Sequence, residues 1–386
     1  MKNKKLPLVL LLLALVFALS FGTLPAVAVT EDILNIKALS CVLMDGKTGE
    51  VLYQQSPDLR CYPASVTKIM TLVLALEAVA QGRVNVEDMV TTSAEAAAMG
   101  GSQVYLFEGE TRSLREMLVA VAVGSGNDAS VAVAEFIGGS LNGFMELMNK
   151  RAGELGMTNT CFTNPHGLHD EGHYTTAGDL AKLAYHALSV PLFLEYTSIY
   201  EYQFRPDPKP LVLWNSNRLL KWFDGVDGMK TGFTQESGYN LVATAERDGL
   251  RLISVYLGGE DSNTRFTESM KLLNYGFSQY EYVNLYKAGD VLGEVKVNKG
   301  AQDSVTLVAG KDVGVLQKKG EQSELTARLV HRPYLNAPVK KGDAVGEIVV
   351  LKNGLELERA PLLAGEDVAK GTWMRQIKKL ITGITF

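Results

Sequence analysis

Pro63-Ala64-Ser65-Val66-Thr67-Lys68 runs straight into the apolar stretch Ile69-Met70-Thr71-Leu72-Val73-Leu74-Ala75-Leu76. A proline and a small residue precede a serine, and good helix formers follow until Gln81-Gly82, which predicts a helix N-terminus with Ser65 in its first turn. Residues three apart share a helix face, so Lys68 stands one turn beyond Ser65. A serine hydroxyl is a weak nucleophile that needs a base within hydrogen-bond reach. Lysine serves only when burial or a neighbouring cation keeps it neutral. Backbone N–H groups at the helix start would also suit an oxyanion. Taken alone, the same S-x-x-K also describes an N-capping serine beside a solvated lysine, so its meaning depends on the rest of the chain.

Upstream, Ala38 to Asp45 and Val51 to Gln55 read as two strands joined by a Gly46-Lys47-Thr48-Gly49 turn. Downstream, Val84 to Leu114 carries mixed signals with a break at Met99-Gly100-Gly101-Ser102. Leu114 to Val123 predicts a helix that stops at Gly124-Ser125-Gly126-Asn127, and Asp128 to Phe136 predicts the next. Ser125 and Asn127 thus fall in a short connection, where polar side chains can face a cleft. Phe144 to Leu155 and Thr176 to Leu188 are further helices, and Pro206, Pro208 and Pro210 mark a loop. Strand character then returns at Tyr239 to Ala245 and Leu250 to Leu257, followed by a helix over Arg265 to Tyr275. First and last strands that pair around central helices give an α+β layer, not a doubly wound sheet.

From about Glu281 the texture becomes β-rich, with short runs at Val291 to Val297, Ser304 to Val308, Leu325 to Val330 and Ala344 to Val350. The last segment, Thr372 to Phe386, is an amphipathic helix. Trp373, Ile377, Leu380, Ile381 and Ile384 share one face, and Arg375, Lys378 and Lys379 lie towards the other. A basic helix with tryptophan at its edge suits a membrane surface, the competing reading being a helix packed on the β domain.

With 386 residues, 46% hydrophobic and 21% charged, the chain has the size for two domains and the composition for a real core. Its net charge of −5 and lack of a basic block give a nucleic-acid partner no support. The N-terminus reads as an export signal: Lys2, Lys4 and Lys5, then an apolar run from Leu6 to Phe21, then Ala26-Val27-Ala28 as a cleavage site. A retained anchor is the alternative, since the run approaches spanning length. Residues 1–28 hold those three lysines and no acid, so removing them takes the net charge to −8. Cys41, Cys61 and Cys161 lack metal-ligand spacing and read as buried thiols outside any disulfide.

Two later tripeptides give Ser65 and Lys68 their meaning: Ser125-Gly126-Asn127 and Lys230-Thr231-Gly232. S-x-x-K, S-D-N and K-T-G in this order mark class A β-lactamases and penicillin-binding proteins. Second copies exist at Ser140-Leu141-Asn142 and Lys47-Thr48-Gly49. Position selects between them, since Lys47 lies in a hairpin turn before Ser65 and Ser140 follows a helix-ending Gly138-Gly139. With Asn164-Pro165-His166-Gly167-Leu168, Val226-Asp227-Gly228-Met229 and Gly238-Tyr239-Asn240-Leu241-Val242, the chain resembles the serine-type D-alanyl-D-alanine carboxypeptidases, the low-molecular-mass penicillin-binding proteins. The likeness spans nearly the whole mature chain.

That resemblance implies a β-lactamase/transpeptidase-like catalytic domain, an antiparallel sheet with helices on both sides and a helical lobe, over residues 29–280. A small all-β domain over 281–365 and an amphipathic membrane-anchor helix over 366–386 follow. It also implies roles. Ser65 attacks the carbonyl between the last two D-alanines of a peptidoglycan stem peptide, and Lys68 is its base. Ser125 passes a proton to the departing D-alanine, and Asn127 orients the peptide. Lys230 supplies positive potential and helps keep Lys68 neutral. Thr231 and Arg265 grip the terminal carboxylate, a task suited to a guanidinium fork. The oxyanion lies between the N–H groups of Ser65 and Phe233, just after Gly232. Losing one such donor typically costs roughly 3–4 kcal/mol in the transition state. β-Lactams are expected as covalent inhibitors and the membrane surface as a partner of the terminal helix, with no metal and no cofactor. Two departures stand out: Phe233 where some relatives have histidine, and Ser216 where some have arginine.

Three rivals are weaker. A class A β-lactamase needs a deacylating E-x-x-x-N after the middle motif, whereas Glu146-Leu147-Met148-Asn149 has the wrong spacing. His166, His169 and His173 do not form H-E-x-x-H, and Gly172 opposes the helix that would align them on zinc. A Ser-His-Asp hydrolase lacks its G-x-S-x-G elbow, since Val123 and Asn142 stand at the glycine positions around Ser125 and Ser140. A silent wall-binding scaffold on the same fold is the alternative from another functional class.

Overall fold

Ser40-Cys41-Val42-Leu43-Met44-Asp45 form β1 (Ser40–Asp45), and all six residues are buried. A strand buried on both faces sits between layers. The computed structural model describes residues 34–206 and 210–382. The calls on the export signal, on Ile384 and on part of the proline loop lie outside the described residues, as do the side chains of Lys378, Lys379, Leu380 and Ile381.

In chain order the catalytic region contains β2 (Val51–Gln55), α1 (Lys68–Ala80), β3 (Met89–Thr91), α2 (Ala94–Ala97), β4 (Thr111–Ser113), α3 (Leu114–Ala122) and α4 (Asn127–Gly138). It continues with α5 (Leu141–Glu154), α6 (Ala177–Ala187), α7 (Phe193–Thr197), β5 (Glu201–Arg205), β6 (Leu211–Trp214) and α8 (Leu219–Trp222). β7 (Val226–Thr234), β8 (Gly238–Arg247), β9 (Leu250–Gly259) and α9 (Ser262–Gln279) complete it. The main sheet has the order β2-β1-β9-β8-β7. Every pairing in it is antiparallel. The N-terminal hairpin therefore docks on a strand more than 200 residues later, and β7 is left as an edge.

Alternation explains the two helical layers. Val42, Met44, Ile253 and Val255 join one apolar cluster with α1 and the helical lobe. Leu43 and Leu252 point to the opposite face, where Gly276 of α9 is so close that a Cβ would fall 2.5 Å from Leu252 and 3.1 Å from Leu43. α1 is apolar on all sides because it runs through the centre: Ile69, Met70, Leu72, Val73, Ala75 and Leu76 are all buried. A capping box at Ser113 and Glu116 starts α3, and the left-handed Gly139 ends α4.

Beyond α9 come β10 (Tyr280–Tyr286), β11 (Val291–Asn298), β12 (Ser304–Ala309), β13 (Val313–Lys318), β14 (Leu325–His331), β15 (Tyr334–Asn336), β16 (Ala344–Lys352) and β17 (Leu355–Ala364). Six of these make one sheet and β10 pairs with β13. β10, β13, β15 and β17 are absent from the sequence reading. The module also runs past the expected limit of 365, because Val368 is buried in its core and bridges Val339. The final helix is α10 (Trp373–Thr382), on which Trp373 and Met374 are each 79% exposed. Among the described residues no helix is long and apolar enough to cross a membrane.

The cysteine expectation needs one correction. Cys41 and Cys61 are buried, but Cys161 is only half-buried, and none of the three is in a disulfide. Its short bridge to Tyr174 lies outside the main core.

Candidate active site

Ser65 lies not in the α-helix but in a tight 3-10 turn, Ala64–Thr67, and the α-helix begins at Lys68. The reason is Ala64, whose φ of +49° is left-handed and cannot start an α-helix. The surroundings hold that strain in place. Asn240 of β8, fully buried, donates from Nδ2 to the carbonyls of Tyr62 at 2.9 Å and Pro63 at 3.0 Å. Gly167, at φ +87°, is packed so tightly on the turn that a Cβ there would fall 1.8 Å from the Ala64 oxygen.

The turn aims Ser65 at Lys68, with Nζ 3.0 Å from Oγ. Two further contacts fix the amine. Nζ donates to Asn127 Oδ1 and to the main-chain oxygen of His166, each at 2.7 Å. Nζ thus has three oxygen neighbours; in a neutral amine the two carbonyls, which can only accept, would take both hydrogens and leave the lone pair for the Ser65 hydroxyl. Burial holds the Lys68 pKa well below the ordinary lysine value, and the Lys230 charge adds to this against an opposing pull from Asp128.

The loop Asn164–Leu168 is the far wall of this pocket. Thr71 Oγ1 donates to the Pro165 oxygen at 2.6 Å, and Asn164 Oδ1 receives the Gly167 N–H at 2.6 Å. Behind it, His173 Nδ1 accepts the Thr163 N–H at 3.0 Å, which puts the ring proton on Nε2 to donate to Thr67 Oγ1 at 2.7 Å. Burial lowers the His173 pKa to about 4, in keeping with a neutral ring. Both of its nitrogens are therefore committed inside the protein.

Ser125 comes from the connection between α3 and α4, as the sequence predicts, whereas Asn127, expected there too, is the first residue of α4. Ser125 has a left-handed φ of +56°, and Asn127 Nδ2 donates to the Gly100 oxygen at 2.7 Å. Asp128 fastens the facing segment by accepting the N–H groups of Val104 and Leu106, each at 3.1 Å from Oδ2.

The edge strand β7 supplies the opposite side. Lys230 pairs with Val242, Thr231 with Leu241 and Gly232 with Asn240. Lys230 and Thr231 are buried, and burial, then the Arg265 charge, brings the Lys230 pKa down to about 7. Gly232 abuts the serine turn, since a Cβ would stand 2.8 Å from the Pro63 oxygen and 3.1 Å from the Ser65 nitrogen. Phe233, half-exposed, stacks on Tyr239 with ring centroids 4.3 Å apart. Arg265, from the first turn of α9, is buried and donates from Nη1 to the Gly232 oxygen at 3.2 Å. Burial draws its pKa down to about 10. Among the described residues, no carboxylate forms an ion pair with Lys68, Lys230 or Arg265. The fold thus sets Lys230 and Arg265, two basic side chains with no paired carboxylate, beside the serine turn, a charge pattern that favours an anionic ligand.

Comparison with known proteins decides which family this is. The family model described as D-alanyl-D-alanine carboxypeptidase matches residues 26–261, and the C-terminal domain of penicillin-binding protein 5 matches residues 280–370. The chain belongs to the D-alanyl-D-alanine carboxypeptidase family. It is 42% identical over 345 residues to D-alanyl-D-alanine carboxypeptidase DacF of Bacillus subtilis, covering 89% of each chain. The crystal structure of penicillin-binding protein 5 from Haemophilus influenzae is similar at a TM-score of 0.67 and 38% identity, over 87% of this chain and 98% of that one. Penicillin-binding protein D2 from Listeria monocytogenes, solved in its ampicillin-bound form, is similar at a TM-score of 0.57 and 32% identity, over 63% of this chain and 99% of that one. The transpeptidase-like catalytic fold with a β-rich C-terminal domain is the architecture of this family, and the protein is a serine-type carboxypeptidase.

The sequence reading named Ser65, Lys68, Ser125, Asn127, Lys230, Thr231, Gly232, Phe233 and Arg265; the structure links Lys68 to Ser65 and Asn127, packs Gly232 on the serine turn and joins Arg265 to the Gly232 oxygen. The sequence reading missed the main-chain oxygen of His166, the buried rivets Asn240 and Asp128, and the partner of Thr231, which is Ser216. A polar Asn240 inside an apolar strand run was the one available signal.

Proposed function

We propose that this carboxypeptidase removes the terminal D-alanine from peptidoglycan stem peptides through an acyl-enzyme on Ser65. Neutral Lys68 takes the Ser65 proton as Oγ adds to the penultimate carbonyl. The oxyanion forms between the Ser65 and Phe233 N–H groups, Ser125 relays the proton to the departing D-alanine, and water releases the shortened peptide. Lys230, Thr231 and Arg265 hold the substrate's carboxylate and Asn127 orients its backbone. A β-lactam enters by the same step and leaves Ser65 acylated, since no E-x-x-x-N base lies between Ser125-Gly126-Asn127 and Lys230-Thr231-Gly232. The single observation behind this reading is the buried Lys68 amine, 2.7 Å from two carbonyl oxygens and 3.0 Å from Ser65 Oγ.

Members of this family act on the cell wall, outside the cytoplasm. In our reading the chain is exported after cleavage at Ala28 and works at the outer face of the cytoplasmic membrane, in the cell wall or periplasm, held to the membrane surface by the helix that begins at Trp373. The β module sets the cleft's distance from that surface.

The test is direct. Mature protein incubated with a peptide ending Lys-D-Ala-D-Ala should release D-alanine, and benzylpenicillin should add its mass once per chain. Ser65→Ala should lose both. A folded sample that releases no D-alanine would favour the scaffolding alternative.

A further inference from the structure

We propose that Ser216 belongs to the carboxylate subsite: with Thr231 it forms a hydroxyl pair that presents one O–H to the substrate's terminal carboxylate. This rests on the function proposed above and assigns a residue whose role the sequence leaves open.

Asn215-Ser216-Asn217 follows β6, and burial alternates along it. Leu213, Asn215, Asn217 and Leu219 point inward while Trp214, Ser216 and Arg218 face solvent. The inward amides fix the backbone. Asn215 Nδ2 donates to the oxygens of Thr197 at 3.1 Å and Ile199 at 3.0 Å, and Asn217 Nδ2 donates to the Gly228 oxygen at 2.9 Å. Asn215 Oδ1 also receives the Asn217 N–H at 2.9 Å. The segment is therefore held without help from Ser216, whose hydroxyl is hydrogen-bonded to Thr231 Oγ1 on the edge strand.

Two hydroxyls bonded to each other use one hydrogen between them and keep one. Whichever donates, the remaining O–H comes from a fixed place on the rim. The local field sets its direction. Lys230 Nζ donates to the Thr231 oxygen at 3.4 Å and Arg265 Nη1 to the next oxygen, of Gly232, at 3.2 Å, neither with a paired carboxylate among the described residues, and the charge of Arg218, two residues after Ser216, is felt at Arg265. Neutral donors beside unpaired cations complete an anion site that a carboxylate would enter from solvent.

The experiment uses the full mature chain as wild type, Ser216→Ala and Ser216→Thr. It measures the acylation rate of Ser65 by benzylpenicillin and by its methyl ester, which lacks the carboxylate charge, and KM and kcat for D-alanine release. Ser216→Ala should slow acylation by the acid about tenfold, the lower end for one charged hydrogen bond, and leave the ester within about twofold. KM should rise by a similar factor with kcat little changed, and Ser216→Thr should recover most of the loss. Equal slowing with acid and ester, or no slowing with either, would overturn the assignment to the carboxylate subsite. Wild-type protein that neither compound acylates would instead overturn the acyl-enzyme reading and this inference with it.

Discussion

Lys68 Nζ lies 2.7 Å from the main-chain oxygen of His166, a residue 98 positions later in the chain. That contact and the equal one to Asn127 Oδ1 would take both hydrogens of a neutral amine, with Ser65 Oγ as the third oxygen around Nζ at 3.0 Å. Among the described residues no carboxylate is paired with Lys68 to hold it as an ammonium.

Asn127→Asp tests this relationship. A carboxylate at the Asn127 position would favour the charged lysine and raise its pKa by about 1–3 units. The base would then be protonated at neutral pH. The acid limb of Ser65 acylation against pH, followed with a fluorescent penicillin, should move up by that amount. An unmoved limb would show that Lys68 is not the titrating base.

Lys230→Met should move the same limb in the same direction by less. Removing a neighbouring cation lets the Lys68 pKa rise, while burial, the larger cause of its depression, remains. Lys230 also has its own signature. With a pKa near 7 it loses charge as pH rises through that value, so affinity for anionic substrates should fall there. Lys230→Arg should flatten that fall, as measured by KM for D-alanine release.

Gly232→Ala should separate chemistry from stability. The added Cβ would press on the Pro63 oxygen and the Ser65 nitrogen, at 2.8 and 3.1 Å, and push the edge strand from the turn that holds an oxyanion donor. Loss of such a donor is worth roughly 3–4 kcal/mol, or about 10²–10³ in acylation rate. Wild-type acylation kinetics in this variant would remove the oxyanion site from where we place it.

Stability should depend on pH through His173. Its folded pKa of about 4 lies below the ordinary histidine value, so the neutral ring contributes fully above about pH 6.5. Protonation favours the unfolded chain as pH falls from there, and the contribution is gone once pH passes below about 4. The full difference is about 3 kcal/mol. Melting temperature should decline over that window, and His173→Gln should start lower yet decline less. Parallel curves for the two proteins would contradict this.

Much of the scaffold was legible because it is local. β1, α1, α3, α4, β8, β9 and α9 all fall within a few residues of the limits read from periodicity and caps, since each carries its own apolar spacing and stop signals. The misses have physical causes. Ala64 should have continued a helix by propensity, but its left-handed backbone is imposed by Asn240 and Gly167, which are distant in sequence. β10, β13 and β17 escaped because their apolar residues are interrupted by charged and polar ones on faces that only packing defines.

The sequence by itself picked out the candidate reacting set. S-x-x-K, S-G-N and K-T-G are short and local, and their residue types limit what chemistry they can carry. It also determined the division into an α+β region, a β-rich region and a final helix, because composition and periodicity change along the chain. Only the tertiary structure decided the downward shift of the Lys68 pKa and the partner of Thr231. A pKa is set by burial and by charges and carbonyls brought near in space, and neither has a trace in spacing along the chain. The same applies to the strain at Ala64, which exists only while β8 and the Asn164–Leu168 loop press on the turn from two sides.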